Sequence, residues 1–131
     1  MTTETKTILL VDDDEDFLFQ EQVQLQALGY QVLLAHSRAE AERVLASNTP
    51  DLAIVDLMME ETDAGFTLCY HIKKKHKAMP VILCTAVTSE TGMEFDASTH
   101  EEQSWVKADA MLAKPVRFEQ LKREIDRLMP A

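Results

Sequence analysis

The fold of this chain is decided by the stretch ILLVDD at residues 8–13. Four consecutive apolar residues run directly into two acids there. A continuous apolar run, as opposed to an alternating one, predicts a strand buried on both faces, as in a parallel sheet covered by helices. Acids that directly follow such a strand would stand at the carboxyl edge of the sheet, where open α/β folds bind their ligands.

The same apolar pattern recurs four more times along the 131 residues. The further runs are VLLA at 32–35, LAIV at 52–55, VILC at 81–84 and AMLA at 110–113. The segments between the runs have helical character, so β and α elements alternate along the chain. Five such pairs predict one α/β domain with a doubly wound parallel sheet flanked by helices.

The sequence also indicates where the helices begin and end. A helix at 15–28 is expected to stop at Gly29, and a helix at 38–47 to begin with a capping box formed by Ser37 and Glu40. Another helix is expected at 66–76, and a last one carries an apolar stripe of Phe118, Leu121, Ile125 and Leu128. The segment 86–108 fits poorly, and we expect a long loop with a short helix near residues 100–106.

Composition and charge exclude several classes of function. Hydrophobic residues make up 46% of the chain, so it can bury a core, and no apolar stretch approaches the roughly 18 residues of a membrane span. The first residues lack a secretory pattern, so we expect a cytoplasmic location. A net charge of −10 argues against direct binding of nucleic acid.

Basic residues and cysteines receive structural interpretations. The run Lys73, Lys74, Lys75 and Lys77 is expected to form a solvated helix face, as are the basic residues of the last helix. Cys69 and Cys84 show no metal-ligand spacing and lie in apolar surroundings, so we expect buried, reduced thiols.

Polar residues with chemical potential stand where the predicted strands end. They are Asp12 and Asp13 after the first strand, Asp56 after the third, Thr85 after the fourth and Lys114 after the fifth. Three clustered carboxylates would repel one another, which implies a hard divalent cation with oxygen ligands, and Mg²⁺ fits best. Asp56 is then a carboxylate nucleophile that can form an acyl phosphate, assisted by Lys114 and Thr85.

With these residues, nearly the whole chain resembles the receiver domain of two-component response regulators. The resemblance implies a flavodoxin-like sheet with strand order 2-1-3-4-5. It also implies that Asp12 and Asp13 form the acidic pocket, that Asp56 is the phosphoacceptor, that Thr85 is the switch hydroxyl and that Lys114 contacts the phosphate. The main-chain carbonyl of Met58 would join Asp12, Asp13 and Asp56 around Mg²⁺.

The resemblance further implies a phosphorelay switch and not an enzyme. A sensor histidine kinase or a histidine phosphotransfer protein would supply the phosphoryl group, and an unnamed downstream protein would read the changed surface. The chain ends sixteen residues after Pro115, so residues 1–131 are expected to form a single receiver domain with no output domain. We expect a monomer, or a dimer that depends on phosphorylation.

The sequence departs from the family pattern in three places. Residues 59–65 lack the usual proline and are one residue longer, Met111 stands where an aromatic switch residue is expected, and the connection from Thr85 to Lys114 is long. Since Met111 cannot swing an aromatic ring, we expect the activated surface to involve residues 86–108.

Two other interpretations compete with the receiver hypothesis. Asp12-Asp13-Asp14 superficially matches the start of haloacid-dehalogenase-like phosphatases, in which the first Asp is the nucleophile, although Asp16 stands where that motif expects Thr or Val. Alternatively, the chain is a receiver-like protein-interaction module that is never phosphorylated. Nothing structural requires three clustered carboxylates, which disfavours the second alternative.

The sequence predicts a long-lived acyl phosphate. In receivers the second residue after the phosphoacceptor and the second after the Thr flank the path of the hydrolytic water, and here they are Met58 and Val87. Neither can orient a water, so phosphorylated protein should persist for minutes or longer. The double variant Met58→Asn and Val87→Glu should lose the label faster in a time course of dephosphorylation. Decay of the native label within seconds, unchanged in the variant, would contradict this.

Overall fold

The computed structural model describes residues 5–56, 64–86, 109–114 and 116–129. Within these ranges the chain forms five strands and four helices, in strict alternation as far as β4. Their bounds are β1 Thr7–Val11, α1 Glu15–Ala27, β2 Gln31–Ala35, α2 Arg38–Ser47, β3 Leu52–Asp56, α3 Ala64–Lys75, β4 Val81–Ala86, β5 Ala110–Lys114 and α4 Phe118–Leu128.

The strands form one parallel sheet in the order β2-β1-β3-β4-β5, as expected. The pairing register places Val11 of β1 beside Val55 of β3, and Asp56 beside Cys84 of β4. Lys114 of β5 pairs with Ala86 of β4. All the strands therefore end at one edge of the sheet, and the residues that follow them are brought together there.

Alternate residues of each central strand belong to two separate hydrophobic cores, because successive side chains of a strand point to opposite faces of the sheet. On one face, Leu9 and Val11 of β1 lie in a core covered by α2 and α3, which we call the α2–α3 core. On the other, Ile8 and Leu10 lie in a core covered by α1 and α4, the α1–α4 core. Continuous apolar strands are thus explained by helices on both sides.

The two edge strands are less buried than the sequence pattern predicts. β1, β3 and the first four residues of β4 are almost wholly buried, whereas β2 and β5 are mostly half-buried. A strand at the edge of a sheet has a neighbour on one side only, so apolar composition alone does not distinguish it from a central strand.

Helix α1 begins and ends with well-defined caps. The Asp14 carboxylate accepts hydrogen bonds from the backbone N–H groups of Asp16 and Phe17, at 3.0 and 3.3 Å. At the other end Gly29 has φ of +98°, and the N–H groups of Gly29 and Tyr30 bond back to the carbonyls of Gln26 and Leu25. This is a Schellman motif, which confirms the predicted stop at Gly29.

Helix α2 confirms its predicted start but only half of its capping box. The Ser37 hydroxyl accepts a hydrogen bond from the Glu40 N–H at 3.1 Å. The Glu40 carboxylate instead lies 3.1 Å from Nδ1 of His36, and this contact lowers the pKa of Glu40. A histidine just before the cap thus takes the partner that the capping box would use.

The prediction of a solvated lysine face was wrong for Lys73. Its ammonium lies 2.6 Å from the Asp109 carboxylate and donates to the Met79 carbonyl at 2.7 Å. Asp109 also accepts from the Val81 N–H, and its carbonyl accepts from Arg127 of α4. The Asp109 junction, as we call these contacts, joins α3, α4 and the beginnings of β4 and β5. Lys74 and Lys75 are exposed, as predicted.

Other predictions of the fold have mixed outcomes. Cys69 and Cys84 are buried thiols outside any disulfide of the described residues, as expected, and burial raises the pKa of each to about 12. The predicted stripe of the last helix is confirmed, because Leu121 and Ile125 are buried and Phe118 and Leu128 pack beside them. The predicted loop and short helix in 86–108 fall almost wholly outside the described residues. In the described part, every helix is too short or too polar to cross a membrane.

Glu21 occupies a core position of α1 that the sequence analysis did not identify. It lies between Leu18 and Leu25, the two other buried residues of the helix, and is 5% exposed. Its Oε2 atom is buried and makes no hydrogen bond within the described part of the chain. Burial disfavours the charged carboxylate and raises the pKa of Glu21 from 4.5 to about 7.

Glu21 should make the protein less stable as pH rises. Between pH 4.5 and 7 the folded chain keeps a proton on Glu21 that the unfolded chain releases, so its contribution to the free energy of unfolding falls with pH. Glu21→Gln should therefore be more stable than the native chain at pH 8, by about 1–3 kcal/mol, and show little gain at pH 4.5. Urea denaturation across this range measures the difference. Glu119→Gln, at an exposed position of α4, is the matched control, and a gain independent of pH would contradict the assignment.

Candidate functional site

The carboxyl edge of the sheet brings together the acids and the lysine that the sequence singled out. Asp12 and Asp13 directly follow β1, Asp56 is the last residue of β3 and Lys114 is the last residue of β5. In the sheet, β1 and β3 are neighbours, and β4 alone separates β3 from β5. The ends of β1, β3 and β5 therefore lie close enough for the four side chains to meet. The structure confirms that Asp12, Asp56 and Lys114 are in direct contact.

Asp12 is fixed by bonds to both carboxylate oxygens. The residue is 1% exposed, and its backbone N–H donates to the Ala35 carbonyl of the neighbouring strand at 3.1 Å. Its Oδ1 accepts from the Asp14 N–H at 2.9 Å, and its Oδ2 accepts from Nζ of Lys114 at 2.8 Å. A buried carboxylate with these partners is held in one orientation.

Asp56 shares the same ammonium group. Its Oδ1 lies 3.2 Å from Nζ of Lys114, and the residue is 5% exposed. Lys114 is therefore bonded to two buried carboxylates that come from two other strands. Burial alone would lower the pKa of Lys114, but the hydrogen bond and charge of Asp12, with Asp56, outweigh burial and raise it.

Asp13 completes a group of three carboxylates. Asp13 is exposed, and one oxygen from each of Asp12, Asp13 and Asp56 lies within 4.8 Å of the others. At about 5 Å, two like charges repel by roughly 3 kcal/mol for an effective dielectric constant of about 20. Three carboxylates and one ammonium leave two negative charges in this group. The donor set fits a divalent cation that prefers oxygen ligands, such as Mg²⁺.

The ring of Phe17 adds a contact that was not foreseen. The Lys114 ammonium lies 5.0 Å from the centroid of this ring, which α1 presents in its first turn. A cation at this distance is attracted to the face of an aromatic ring. No sequence motif indicates the contact, because it depends on how the start of α1 lies against the end of β5.

The acidic run at residues 12–16 divides into separate roles. Asp12 and Asp13 belong to the carboxylate group, Asp14 caps α1, and Glu15 and Asp16 stand in the first turn of that helix, where the helix dipole favours negative charge. Asp12, the nucleophile in the phosphatase interpretation, has both oxygens bonded. The sequence could have predicted that Asp14 caps α1, since Asp often directly precedes a helix.

The remaining predicted site residues are described in part or lie beyond the described ranges. Thr85 lies near the end of β4 and pairs with Ala113 of β5, while its side chain is outside the described atoms. The Met58 carbonyl belongs to the segment 57–63, which is also outside the described residues. Met111, at the expected aromatic position, is partly buried and packs against the α2–α3 core.

Similarity to known proteins agrees with this geometry. The chain is 40% identical over 119 residues to the transcriptional regulatory protein GlrR of Escherichia coli K12, an alignment that covers 91% of this chain and 25% of that protein. It is 34% identical to the response regulator MprA of Mycobacterium ulcerans, over 87% of this chain and 46% of MprA. The chain thus spans between a quarter and a half of the length of these two relatives.

Solved structures share the fold over almost the whole chain. The response regulator TrrA from Thermotoga maritima, crystallised in complex with Mg²⁺ and BeF, matches with a TM-score of 0.76 and 30% identity, covering 95% of this chain and all of that one. A putative response regulator from Chloroflexus aurantiacus gives a TM-score of 0.80 and 28% identity over 98% of this chain and all of that one.

The family model of the response regulator receiver domain matches residues 8–126, which include the three carboxylates, Lys114 and the sheet that positions them. This chain therefore belongs to the receiver-domain family of two-component response regulators.

Proposed function

We propose that this chain is a phosphorylation switch in which Asp56 accepts a phosphoryl group with the help of Mg²⁺ and Lys114. The observation that carries the proposal is the meeting of Asp12, Asp13, Asp56 and Lys114 at the carboxyl edge of the sheet. The half-buried Lys114 ammonium lies between two buried carboxylates, and the third acid is exposed, so the group keeps a net negative charge that would attract a divalent cation.

The proposed reaction transfers a phosphoryl group between side chains. An Asp56 carboxylate oxygen attacks the phosphorus of a phosphohistidine, an oxygen–phosphorus bond forms, and the phosphorus–nitrogen bond breaks with its electron pair left on the imidazole. The product is an acyl phosphate. Asp12 suits this role poorly, because the Asp14 N–H holds its Oδ1 and the Lys114 ammonium holds its Oδ2.

Lys114 would serve both before and after transfer. Its ammonium holds Asp12 and Asp56 in place, and its raised pKa keeps it charged at physiological pH. After transfer the same positive charge can pair with the phosphoryl oxygens. If Lys114 exchanged a carboxylate oxygen for a phosphoryl oxygen, the end of β5 would shift. Such a shift is one way in which phosphorylation could change the protein surface.

Mg²⁺ is the proposed cofactor, held by Asp12, Asp13 and Asp56, with Met58 contributing its carbonyl by family resemblance. When bound, the cation supplies positive charge that offsets the charge of the phosphoryl oxygens. The structure of TrrA was solved with Mg²⁺ and BeF, which supports the choice of metal for a similar domain.

The proposed phosphodonor is the phosphohistidine of a sensor kinase or a phosphotransfer protein. Helix α1, which begins beside the carboxylate group, exposes two large apolar side chains one turn apart: Phe19 is 65% exposed and Val23 is 50% exposed. Such a pair, on the helix that begins beside the site, would give a donor an apolar contact from which to present its histidine. A downstream protein would then read the phosphorylated surface.

Removal of Asp13 should abolish cation binding and slow phosphorylation. Native protein should bind Mg²⁺ at millimolar or tighter affinity, seen as local amide shifts in NMR titrations, and should become labelled by acetyl phosphate. In Asp13→Ala the shifts should vanish and labelling should slow on the order of tenfold or more, since the cation offsets transition-state charge. Asp16→Ala removes an acid of the same run outside the carboxylate group and should behave as native protein. Undiminished labelling of Asp13→Ala would overturn the metal assignment.

The position of the label distinguishes the proposed function from its alternatives. Borohydride reduces an aspartyl phosphate to homoserine, so mass spectrometry of reduced peptides can locate the acceptor. We expect homoserine at position 56 in native protein and no label in Asp56→Asn. Homoserine at position 12 would favour a phosphatase-like nucleophile. Complete absence of label, despite normal Mg²⁺ binding, would favour an interaction module that is never phosphorylated.

A further inference from the structure

A groove of about 650 Å³ lies between α2 and α3, away from the carboxylate group. Its floor is apolar: Leu45 and Ala46 come from α2, and Leu68 and Ile72 come from α3. Leu68 and Ile72 are buried members of the α2–α3 core, so the apolar surface that the groove opens to a ligand comes mainly from Leu45 and Ala46 of α2. None of the phosphorylation chemistry proposed above uses these residues.

The rim of the groove is basic on a chain whose net charge is −10. Lys74 and Lys75 are exposed on the α3 side, and His71 and His76 stand beside them. Among the described residues that line the groove, Glu42 is the acid. Its Oε1 is already engaged by Nδ1 of His71 at 2.7 Å and faces Arg38 at 3.9 Å. Within the described residues, Lys74 and Lys75 have no ion pair with an acid, so the rim offers their positive charge.

A second cavity, of about 370 Å³, shares His76 with the groove and is otherwise lined by residues such as Thr49, Asp51 and Lys77. The His71–Glu42 bond also ties α3 to α2 across 29 residues of sequence, which holds the two helices at a fixed spacing. A groove between two helices, with apolar residues in its lining and lysines at its edge, suits an amphipathic ligand.

We propose that this groove docks an amphipathic helix of a partner protein, with apolar side chains on the floor and Asp or Glu side chains paired with Lys74 and Lys75. A helix laid in a groove is a recurrent mode of peptide recognition, and its apolar residues recur at three- and four-residue steps. Acidic flanks complement the basic rim, and like charges would disfavour a basic helix.

A second copy of this chain fits the groove poorly. The exposed apolar pair of α1, Phe19 and Val23, is flanked in sequence by Gln20, Gln22 and Gln24, which carry no charge for the basic rim. The exposed acids of α1, Glu15 and Asp16, lie in the first turn, beside the carboxylate group. The charge pattern thus points to a different protein as the occupant.

The test uses two synthetic helical peptides with the same leucine spacing, one flanked by Glu and the other by Lys. Titration of the native chain, followed by fluorescence anisotropy and amide shifts in NMR, should show binding of the acidic peptide with shifts on α2 and α3. Affinity should fall about tenfold or more in the Lys74→Glu, Lys75→Glu variant, because attraction becomes repulsion. Lys122→Glu with Arg123→Glu, the same charge change on exposed α4 positions, should bind as the native chain does.

Ala46→Trp provides a second variant, which fills the floor without changing charge and should also weaken the acidic peptide. The proposal is overturned if the basic peptide binds as well as the acidic one, or if neither binds at concentrations up to roughly 1 mM. It is also overturned if the shifts map outside α2 and α3. The remaining alternative is that a second copy of this chain occupies the groove, and sedimentation of the native chain measures its self-association. Self-association that is lost in the Lys74→Glu, Lys75→Glu variant would assign the groove to a second copy.

Discussion

The bond of one lysine to two buried carboxylates is the constraint on which the site depends. Lys114 comes from β5, Asp12 from the end of β1 and Asp56 from the end of β3, so the ammonium ties an edge strand to the centre of the sheet. Removing either carboxylate would leave a partly buried charge less well paired, and removing the lysine would leave two acids facing each other. The edge of the sheet is therefore held together by the charges that the proposed chemistry uses.

The sequence predicted the sheet well because its signals are local. Apolar runs such as residues 8–11 indicate strands, and Gly29 and Ser37 indicate helix ends. Asp56 and Lys114 were identified as site residues because they stand where predicted strands end. What the sequence could not predict depends on contacts between distant segments. The Phe17 ring beside Lys114, the pairing of Lys73 with Asp109 and the burial of Glu21 are set by how helices lie on the sheet. Glu21 does stand at helical spacing from Leu18 and Leu25, but this spacing does not show that the carboxyl itself is buried.

The sheet divides the molecule into two halves with different physical character. The α1–α4 side contains Glu21, whose buried Oε2 accepts no hydrogen bond from the described residues. The same side presents the exposed apolar pair Phe19 and Val23 on the helix that begins beside the site. The α2–α3 side contains the basic groove and the His71–Glu42 bond between its helices. Donor contact on one side and partner contact on the other could then occur on the same molecule without overlap. Two surfaces and one switch would allow a single domain to connect two proteins.

The Asp109 junction has a consequence for engineering. The Asp109 N–H donates to the Val81 carbonyl, and the Asp109 carboxylate accepts from the Val81 N–H. The carboxylate also pairs with Lys73, and the Asp109 carbonyl accepts from Arg127. The start of β5 is therefore fixed by four contacts that do not involve residues 87–108. The entropy of closing a connection grows slowly with its length, by about 0.6 kcal/mol for each doubling. A change in the length of the connection before Asp109 would therefore leave these four contacts available to hold the start of β5 beside β4.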